Sequence, residues 1–404
     1  MAGRSHTATE GENMRSRLIA TLVLALLVAA CGDDGAETTT TVAETTTSAG
    51  PVECAAGETD GDLVLYNWTQ YIPTGPDAEE AEVTDLLAKF EEEYGVSVTQ
   101  DYFTSNEELR SKLQAGATGY DVIVPSDYMV SMLITDGLLM ELQLDAIPNF
   151  ANLDPAFVNP PFDPEHRYHM PYQWGTTGIG VAYAELPEDF PTSWGLIFDP
   201  EISGEFGRGQ VTLLDDAREV MGAALRYLGY SINSTDEAQI QEAADLIKAT
   251  LDQGLVATFD SDTFENMLTS GETIIAHGYS GDFFLEFDNL SDDEYDAWED
   301  FGYFVPDEGG VLWVDTMAIP TNAPHPCTAH AFINFLLDAE NGAELTNYNW
   351  YGSPNAAAEE FIWPEILEDP AIYPPPEVME NLEFIADLGE LNALYERLFT
   401  EARG

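Results

Sequence analysis

Leu63-Val64-Leu65-Tyr66-Asn67-Trp68-Thr69-Gln70-Tyr71 is a short apolar run that stops abruptly at two aromatic residues. Leu63 to Tyr66 carry the aliphatic and aromatic bias of a buried strand, and Asn67, Pro73 and Gly75 end it. Trp68 and Tyr71 therefore fall where strand gives way to loop. In open α/β sheets, ligands bind in the loops beyond the carboxyl ends of strands. The same two rings would serve as well as a cover over the core, so the rest of the chain has to decide between these readings.

Downstream of this strand, Val83, Leu86, Leu87 and Phe90 recur with helical spacing and predict a helix over 83–94, followed by a strand at 96–98 and a helix over 106–113. Tyr120 to Val124 read as a strand ending at Pro125-Ser126-Asp127-Tyr128, which puts Ser126 and Tyr128 at a second strand end. Pro171-Tyr172-Gln173-Trp174-Gly175-Thr176-Thr177-Gly178 reads as a crossover loop into a strand over 178–183 and a second α/β lobe. There a strand at 211–214 runs into Asp215-Asp216-Ala217-Arg218-Glu219-Val220, which opens a helix to about Leu228. Asp215 is the expected N-cap, while Asp216 and Glu219, three apart, share one helix face. A helix over 237–255 follows, and a strand at 273–276 ends in His277-Gly278-Tyr279-Ser280-Gly281-Asp282. Late features are Trp313-Val314-Asp315, a helix over 328–337, an aromatic loop over 348–355, and helices over 377–388 and 392–401. Strands alternating with helices predict βαβ units and a largely parallel sheet.

A chain of 404 residues, 45% apolar and 11% aromatic, can bury a sizeable core and divide into two lobes. Its net charge of −61, with Lys89, Lys112 and Lys248 as the only lysines, excludes nucleic acid as a partner, because phosphate neutralisation needs clustered cations. Two explanations of the acidity compete: a solvated coat suited to saline surroundings, and attraction of cationic ligands. Most of the surface charge belongs to the first, since salt screens steering beyond about 8 Å.

The N-terminus carries an address. Arg15 and Arg17, an apolar run over 18–28, and Ala29-Ala30-Cys31 read as a basic region, a hydrophobic region and a cleavage site. The run is too short to span a bilayer. The small residues before Cys31 resemble a bacterial lipobox, making residues 1–30 a lipoprotein signal peptide and Cys31 the lipidated residue; an ordinary secretory signal is the alternative, and translation starts at Met1 or Met14. Residues 31–60, rich in Thr and Glu, form a disordered tether. Cys54 and Cys327 remain, and in an exported protein they are expected to form a disulfide. His325, Cys327 and His330 lack a fourth ligand and make a poor zinc set.

No reactive constellation appears. Gly278-Tyr279-Ser280-Gly281-Asp282 misses the last glycine of a nucleophile elbow, and there is no Walker loop, no Gly-x-Gly-x-x-Gly and no His-Glu-x-x-His. His166 and His169 read as surface residues of a Pro-rich loop, and Asp260-Ser261-Asp262 lacks the rest of a calcium loop. The chain is expected to need no metal and no cofactor and to catalyse nothing. What recurs at strand ends is aromatic rings together with acids: Trp68, Tyr71, Tyr128, Tyr279, Trp313 and Tyr351 beside Asp216, Glu219, Asp282 and Asp315, with Arg218 the one accompanying cation. That mixture suits an elongated cation whose ammonium groups meet carboxylates and whose methylenes lie on rings, at roughly 0.5–2 kcal/mol per cation–π contact.

The runs Tyr66-Asn67-Trp68-Thr69-Gln70-Tyr71, Val124-Pro125-Ser126, Asp215-Asp216-Ala217-Arg218-Glu219-Val220 and Trp313-Val314-Asp315 resemble those of the spermidine/putrescine-binding proteins of bacterial polyamine ABC transporters. Asn152-Leu153-Asp154-Pro155, Pro171-Tyr172, Trp174-Gly175 and Ile333-Asn334-Phe335-Leu336-Leu337 extend the likeness from Leu63 to the C-terminus. The resemblance implies an α/β, two-lobed periplasmic-binding-protein fold of type II, each lobe a mixed, mostly parallel sheet flanked by helices, with the ligand in the interlobe cleft. It implies an N-terminal lobe of residues 61–175 and 315–355 and a C-terminal lobe of residues 176–314 and 356–404. By the same resemblance Trp68, Thr69 and Tyr71 form a first-lobe aromatic wall, Ser126 and Tyr128 a second contact, and Asp216 and Glu219 the acids that receive amino groups. Tyr279 stands where the family usually has Trp, Trp313 and Asp315 lie under the ligand's centre, and Tyr351 is a further contact. Two positions depart: Ile385 stands where spermidine-preferring members have Gln, and Asp282 resembles the putrescine-preferring members. The implied partners are a polyamine, the permease subunits of an ABC transporter and a membrane reached through the lipid anchor, with the protein a monomer outside the cytoplasmic membrane. Other readings are a receptor for another organic cation or amino acid derivative, a secreted hydrolase, and a structural surface lipoprotein.

Overall fold

A computed structural model describes residues 53–404 apart from 161, 206, 207, 293 and 294. The expected signal peptide, Cys31 and most of the expected tether lie outside the described residues. The opening strand is where the sequence puts it: β1 (Leu63–Asn67) is buried at Leu63, Leu65, Tyr66 and Asn67. Helix α1 (Leu86–Tyr94) is capped by the Asp85 side chain and leads to β2 (Val98–Tyr102), parallel to β1. Helix α2 (Asn106–Gln114), capped by Ser105, leads to β3 (Val122–Ile123), parallel to β1 on its other side. Helix α3 (Asp127–Thr135) starts directly beyond that strand end. These are right-period βα units, each helix burying an apolar stripe against the sheet.

The stretch read as a crossover loop is instead the middle of one long strand, β4 (His169–Ala182), buried throughout. Pro171 is tolerated because the ladder shifts register between Pro171 and Gln173. Beyond it, β5 (Val211–Leu213), helices α4 (Ala217–Tyr227) and α5 (Glu237–Asp252), β6 (Val256–Phe259) and β7 (Ile275–Tyr279) repeat the parallel pattern, with β5 between β6 and β7. Helix α6 (Ser280–Leu290) and β8 (Phe301–Phe304) precede β9 (Val311–Ala318), which runs antiparallel to β4 along most of its length. Helices α7 (Pro326–Leu336), α8 (Ala339–Asn349) and α9 (Asn392–Arg403) follow.

Among the described residues the strands form one mixed sheet in the order β2-β1-β3-β9-β4-β7-β5-β6, with β8 paired to β4. Parallel pairs lie at both ends, and the antiparallel pair β4–β9 joins them. Each half has its own apolar core, one around Phe90, Phe332 and Phe335 and the other around Trp194, Phe264, Phe283 and Phe287. No described helix is long and apolar enough to cross a membrane.

Three further readings need correction. The helix expected over 377–388 is a single turn at 376–379; Glu383 instead pairs with β9, donating to Gly310 O and accepting from Leu312 N, so an open strand edge outcompetes local helix propensity. His166 and His169 are buried, not superficial, and His169 Nδ1 lies 2.8 Å from Asp163 Oδ2. Residues 54–60, placed in the tether, are tied down: Cys54 is disulfide-bonded to Cys327 and Thr328 N donates to Asp60 Oδ1 over 3.0 Å. The three residues of the poor zinc set are engaged separately, since His325 N donates to Asp121 and His330 Nε2 accepts from Gln143 N.

Candidate binding site

The ends of β1 and β3 and the middle of β9 meet where the two halves of the sheet join. Trp68 follows β1 directly; its indole Nε1 donates to Val124 O over 2.9 Å and its ring packs 4.3 Å from Phe103, which locks it at the strand end. Thr69, one residue on, is exposed. Tyr71 is buried edge-on against Tyr172 (5.1 Å) and Tyr351 (5.7 Å), and its hydroxyl, beside Asp315, closes no hydrogen bond.

Ser126 stands before the first turn of α3, bridged to Asp315 on β9. Its Oγ donates to Asp315 Oδ1 over 2.6 Å and accepts from Asn106 Nδ2 over 3.0 Å. Tyr128, half-buried, donates to Glu107 over 3.3 Å. On β9, Trp313 precedes Asp315 by two residues, which in a strand puts both on one face. The Trp313 ring meets Tyr351 at 4.9 Å and Tyr279 at 5.9 Å, both edge-on, and its buried indole N–H has no partner. This packing needs two glycines: a Cβ at Gly175 would lie 2.6 Å from the Trp313 ring, and one at Gly281 2.6 Å from the Tyr351 ring.

The second half supplies the remaining acids. Asp216, not Asp215, caps α4, its Oδ1 accepting from Arg218 N (2.8 Å) and Glu219 N (3.0 Å). The helix begins one residue later than the sequence reading placed it, and Asp215 turns outward to pair with Arg403 of α9. Glu219, 5% exposed, has an Oε2 without a hydrogen-bond partner. Tyr279 ends β7, and Asp282 lies in the first turn of α6 beside Tyr351.

Burial sets the electrostatics. Asp315 is pushed up to about 6 by burial, against the opposing pull of the Ser126 hydrogen bond, and Asp282 to about 6 by burial against a pull from Tyr351. Burial, then the Asp216 carboxylate, raises Glu219 well above the usual carboxylate range; the neighbouring Thr177 hydroxyl opposes this without closing a hydrogen bond. The Tyr279 hydroxyl is raised by burial and then by Glu219, Asp216, Asp282 and Asp315, so one ring senses all four acids that the sequence singled out.

Two residues escaped the sequence reading. Asp127, 1% exposed at the start of α3, is pushed up to about 8 by burial and by Asp315, and its Oδ2 has no partner. Glu107, in the first turn of α2, is raised to about 7 by its place between packed elements and by Asp216, although its surface stays open to water. The sequence reading singled out neither: Asp127 lay in the run that ends a strand, and Glu107 in the first turn of an expected helix, where an acid is favoured by the helix dipole. Ile385, which stands where the resemblance implies Gln in spermidine-preferring members, is buried in the apolar cluster that contains Trp313 and Tyr351. Two open depressions, of about 450 Å³ around Met267 and about 290 Å³ around Trp363, share no residue with this cluster.

An aromatic box holding carboxylate oxygens without partners is an arrangement that a cation completes and an anion or neutral solute does not. Comparison with known proteins gives the same direction. Residues 85–374 match the model of the bacterial extracellular solute-binding proteins. The putrescine/cadaverine-binding protein of Pseudomonas aeruginosa is 37% identical over 361 residues, covering 88% of this chain and 96% of that protein. The spermidine/putrescine-binding periplasmic protein of Escherichia coli is 34% identical over 353 residues, covering 87% of this chain and 94% of its own length. Among solved structures, a spermidine/putrescine ABC transporter protein from Listeria monocytogenes superposes with a TM-score of 0.74 at 36% identity, over 85% of this chain and 99% of that one. The PotD substrate-binding protein of Streptococcus pneumoniae gives 0.70 at 32% identity, with coverages of 85% and 99%. The mixed sheet with its flanking helices is thus the two-lobed type II periplasmic-binding-protein fold, and the chain belongs to the bacterial extracellular solute-binding proteins, in the group of the spermidine/putrescine-binding proteins.

Proposed function

We propose that this protein captures a polyamine, of the putrescine or spermidine kind, outside the cytoplasmic membrane and delivers it to the permease of an ABC transporter. The observation that carries this reading is the buried Glu219 Oε2, left without any partner inside a box of aromatic rings and further acids. A bare carboxylate oxygen there costs several kcal/mol of desolvation, which an ammonium group offsets. Trp68, Thr69, Tyr71, Ser126 and Tyr128 serve as the wall from the first lobe (residues 61–175 and 315–355), while Asp216, Glu219, Tyr279 and Asp282 serve from the second (176–314 and 356–404). Trp313, Asp315 and Tyr351 lie beneath the chain of methylenes. Cys31 serves as a lipid anchor and the protein works as a monomer.

A thermal-denaturation series with putrescine, cadaverine, spermidine and spermine, at low and high salt, tests this. A ligand at one hundred times its dissociation constant adds about 2.7 kcal/mol to stability. The expected result is a rise in melting temperature that survives salt and peaks at one chain length. A rise that salt abolishes alike for all four amines overturns the reading, because loose adsorption on the acidic surface explains it.

A further inference from the structure

Arg218 lies between Asp216 and Glu219 in sequence, in the first turn of α4, and is 6% exposed. A guanidinium so placed normally forms an ion pair, since carboxylates are its strongest acceptors. Arg218 pairs with neither acid. Its Nη1 donates to Ala386 O and to Asn392 Oδ1, each over 2.9 Å, and its Nη2 donates to Asn233 Oδ1 over 3.0 Å. The guanidinium lies over the Tyr395 ring, 4.7 Å from its centroid, while Nε is left with no partner.

The neutral groups that hold it are themselves fixed. Asn233 Nδ2 donates to Phe384 O (2.8 Å), its Oδ1 also accepts from Ala386 N (2.8 Å), and Asn392 Nδ2 donates to Asp387 Oδ1 (2.6 Å). Tyr395 donates to Ser234 O over 2.9 Å. Meanwhile Glu219 Oε2, on the same helix turn, stays bare. An ion pair between Arg218 and Glu219 would satisfy both groups at once, and it would seat an internal cation where an ammonium group has to go.

We propose that the cage of Asn233, Asn392 and Tyr395 is a specificity device that holds the Arg218 guanidinium off Asp216 and Glu219, keeping both acids free for a ligand's amino group. This rests on the reading of the cleft as a polyamine site. The cage residues act through Arg218 and need not touch the ligand. They set how strongly the cleft prefers an external ammonium over the protein's own cation.

The test is calorimetric titration of putrescine and spermidine into the wild-type protein, the double variant Asn233→Leu/Asn392→Leu, and the triple variant that adds Arg218→Met, each checked for folding by circular dichroism. Opening the cage should weaken binding at least tenfold, and removing the freed cation should restore most of that loss. A triple variant as weak as the double one overturns the proposal, since the loss is then packing damage; so does a double variant that binds like the wild type. If the double variant does not fold, Asn392→Leu alone should lose about threefold, rescued in the same way by Arg218→Met, and absence of rescue again overturns the proposal. A wild-type protein that binds neither amine instead removes the polyamine reading itself, and this inference with it.

Discussion

Asp315 and Glu219 are both buried acids that bear on the same Tyr279 ring, but their surroundings treat them in opposite ways. Asp315 stands on the strand that joins the two halves and receives a 2.6 Å hydrogen bond from Ser126, itself braced by Asn106. Glu219 sits in the first turn of α4 with Oε2 bare and a second acid, Asp216, as its neighbour. The first is therefore ionised at neutral pH before any ligand arrives. The second has its ionised form disfavoured by burial and by Asp216, and an entering ammonium group would favour it. One side of the cleft is preorganised, and the other is completed by what it binds.

The sharpest way to break this contrast is to remove each charge in turn. Asp315→Asn takes the ionised partner from a dry site, where losing one half of a buried pair costs about 3–5 kcal/mol, and should weaken binding at least a hundredfold. Glu219→Gln removes an acid that resists ionisation and should cost about tenfold, as loss of a charge-assisted hydrogen bond of about 1.5 kcal/mol does. Titration calorimetry of both variants with putrescine and spermidine decides; equal losses would erase the distinction.

Acidity sharpens it further. Asp315 and Asp282, each raised to about 6, must be deprotonated to receive ammonium groups, so affinity should fall as pH drops below 6, by up to about tenfold per pH unit for each acid. In the free protein the sign is reversed. An acid whose folded pKa is raised holds its proton better folded than unfolded between about 4 and 6, so its contribution to stability declines as pH rises through that window. Ser126→Ala removes the hydrogen bond that favours the ionised form; it should move the loss of affinity to higher pH and weaken binding about fivefold at pH 7. Melting curves with and without putrescine from pH 5 to 8 measure both effects, and an unshifted profile in the Ser126 variant would contradict the preorganised role.

The smallest effect separates Asp216's two duties. Asn is as good an N-cap as Asp, whereas Ala is not, so Asp216→Ala should cost about 1 kcal/mol of stability and Asp216→Asn little. Both variants should lose affinity for the amine. Loss of affinity in the Ala variant alone would mean that the residue only caps its helix.

How much of this the sequence displayed depended on how far each signal reached. The strand-end positions of Trp68 and Tyr71 and of Ser126 and Tyr128 were legible because apolar runs and turn residues mark strand ends locally. The cap of α4 was misplaced by one residue because Asp215 and Asp216 are chemically identical, and the partners of Asp215, Arg403 and Ser261, are distant in the chain. The continuity of β4 through Pro171 depends on a bulge against β9, more than 130 residues away in the chain, and no local pattern encodes it. The helix expected after Pro376 fails for a similar reason, since Glu383 is recruited by the exposed edge of β9. Glu107 was hidden because an acid in a first helical turn already has a sufficient local explanation, and Asp127 because the helix it opens was not expected after the strand.

The bond between Cys54 and Cys327 closes a loop of 273 residues and fixes the exit of the N-terminal segment at the first turn of α7. In mechanical terms, tension applied through the residues before Cys54 passes across a covalent link into that helix before it reaches β1. The strand that carries Trp68 is thereby excused from the line of pull. A pull arriving from the N-terminal side of Cys54 could thus be borne without drawing β1, at whose end Trp68 stands, out from between β2 and β3.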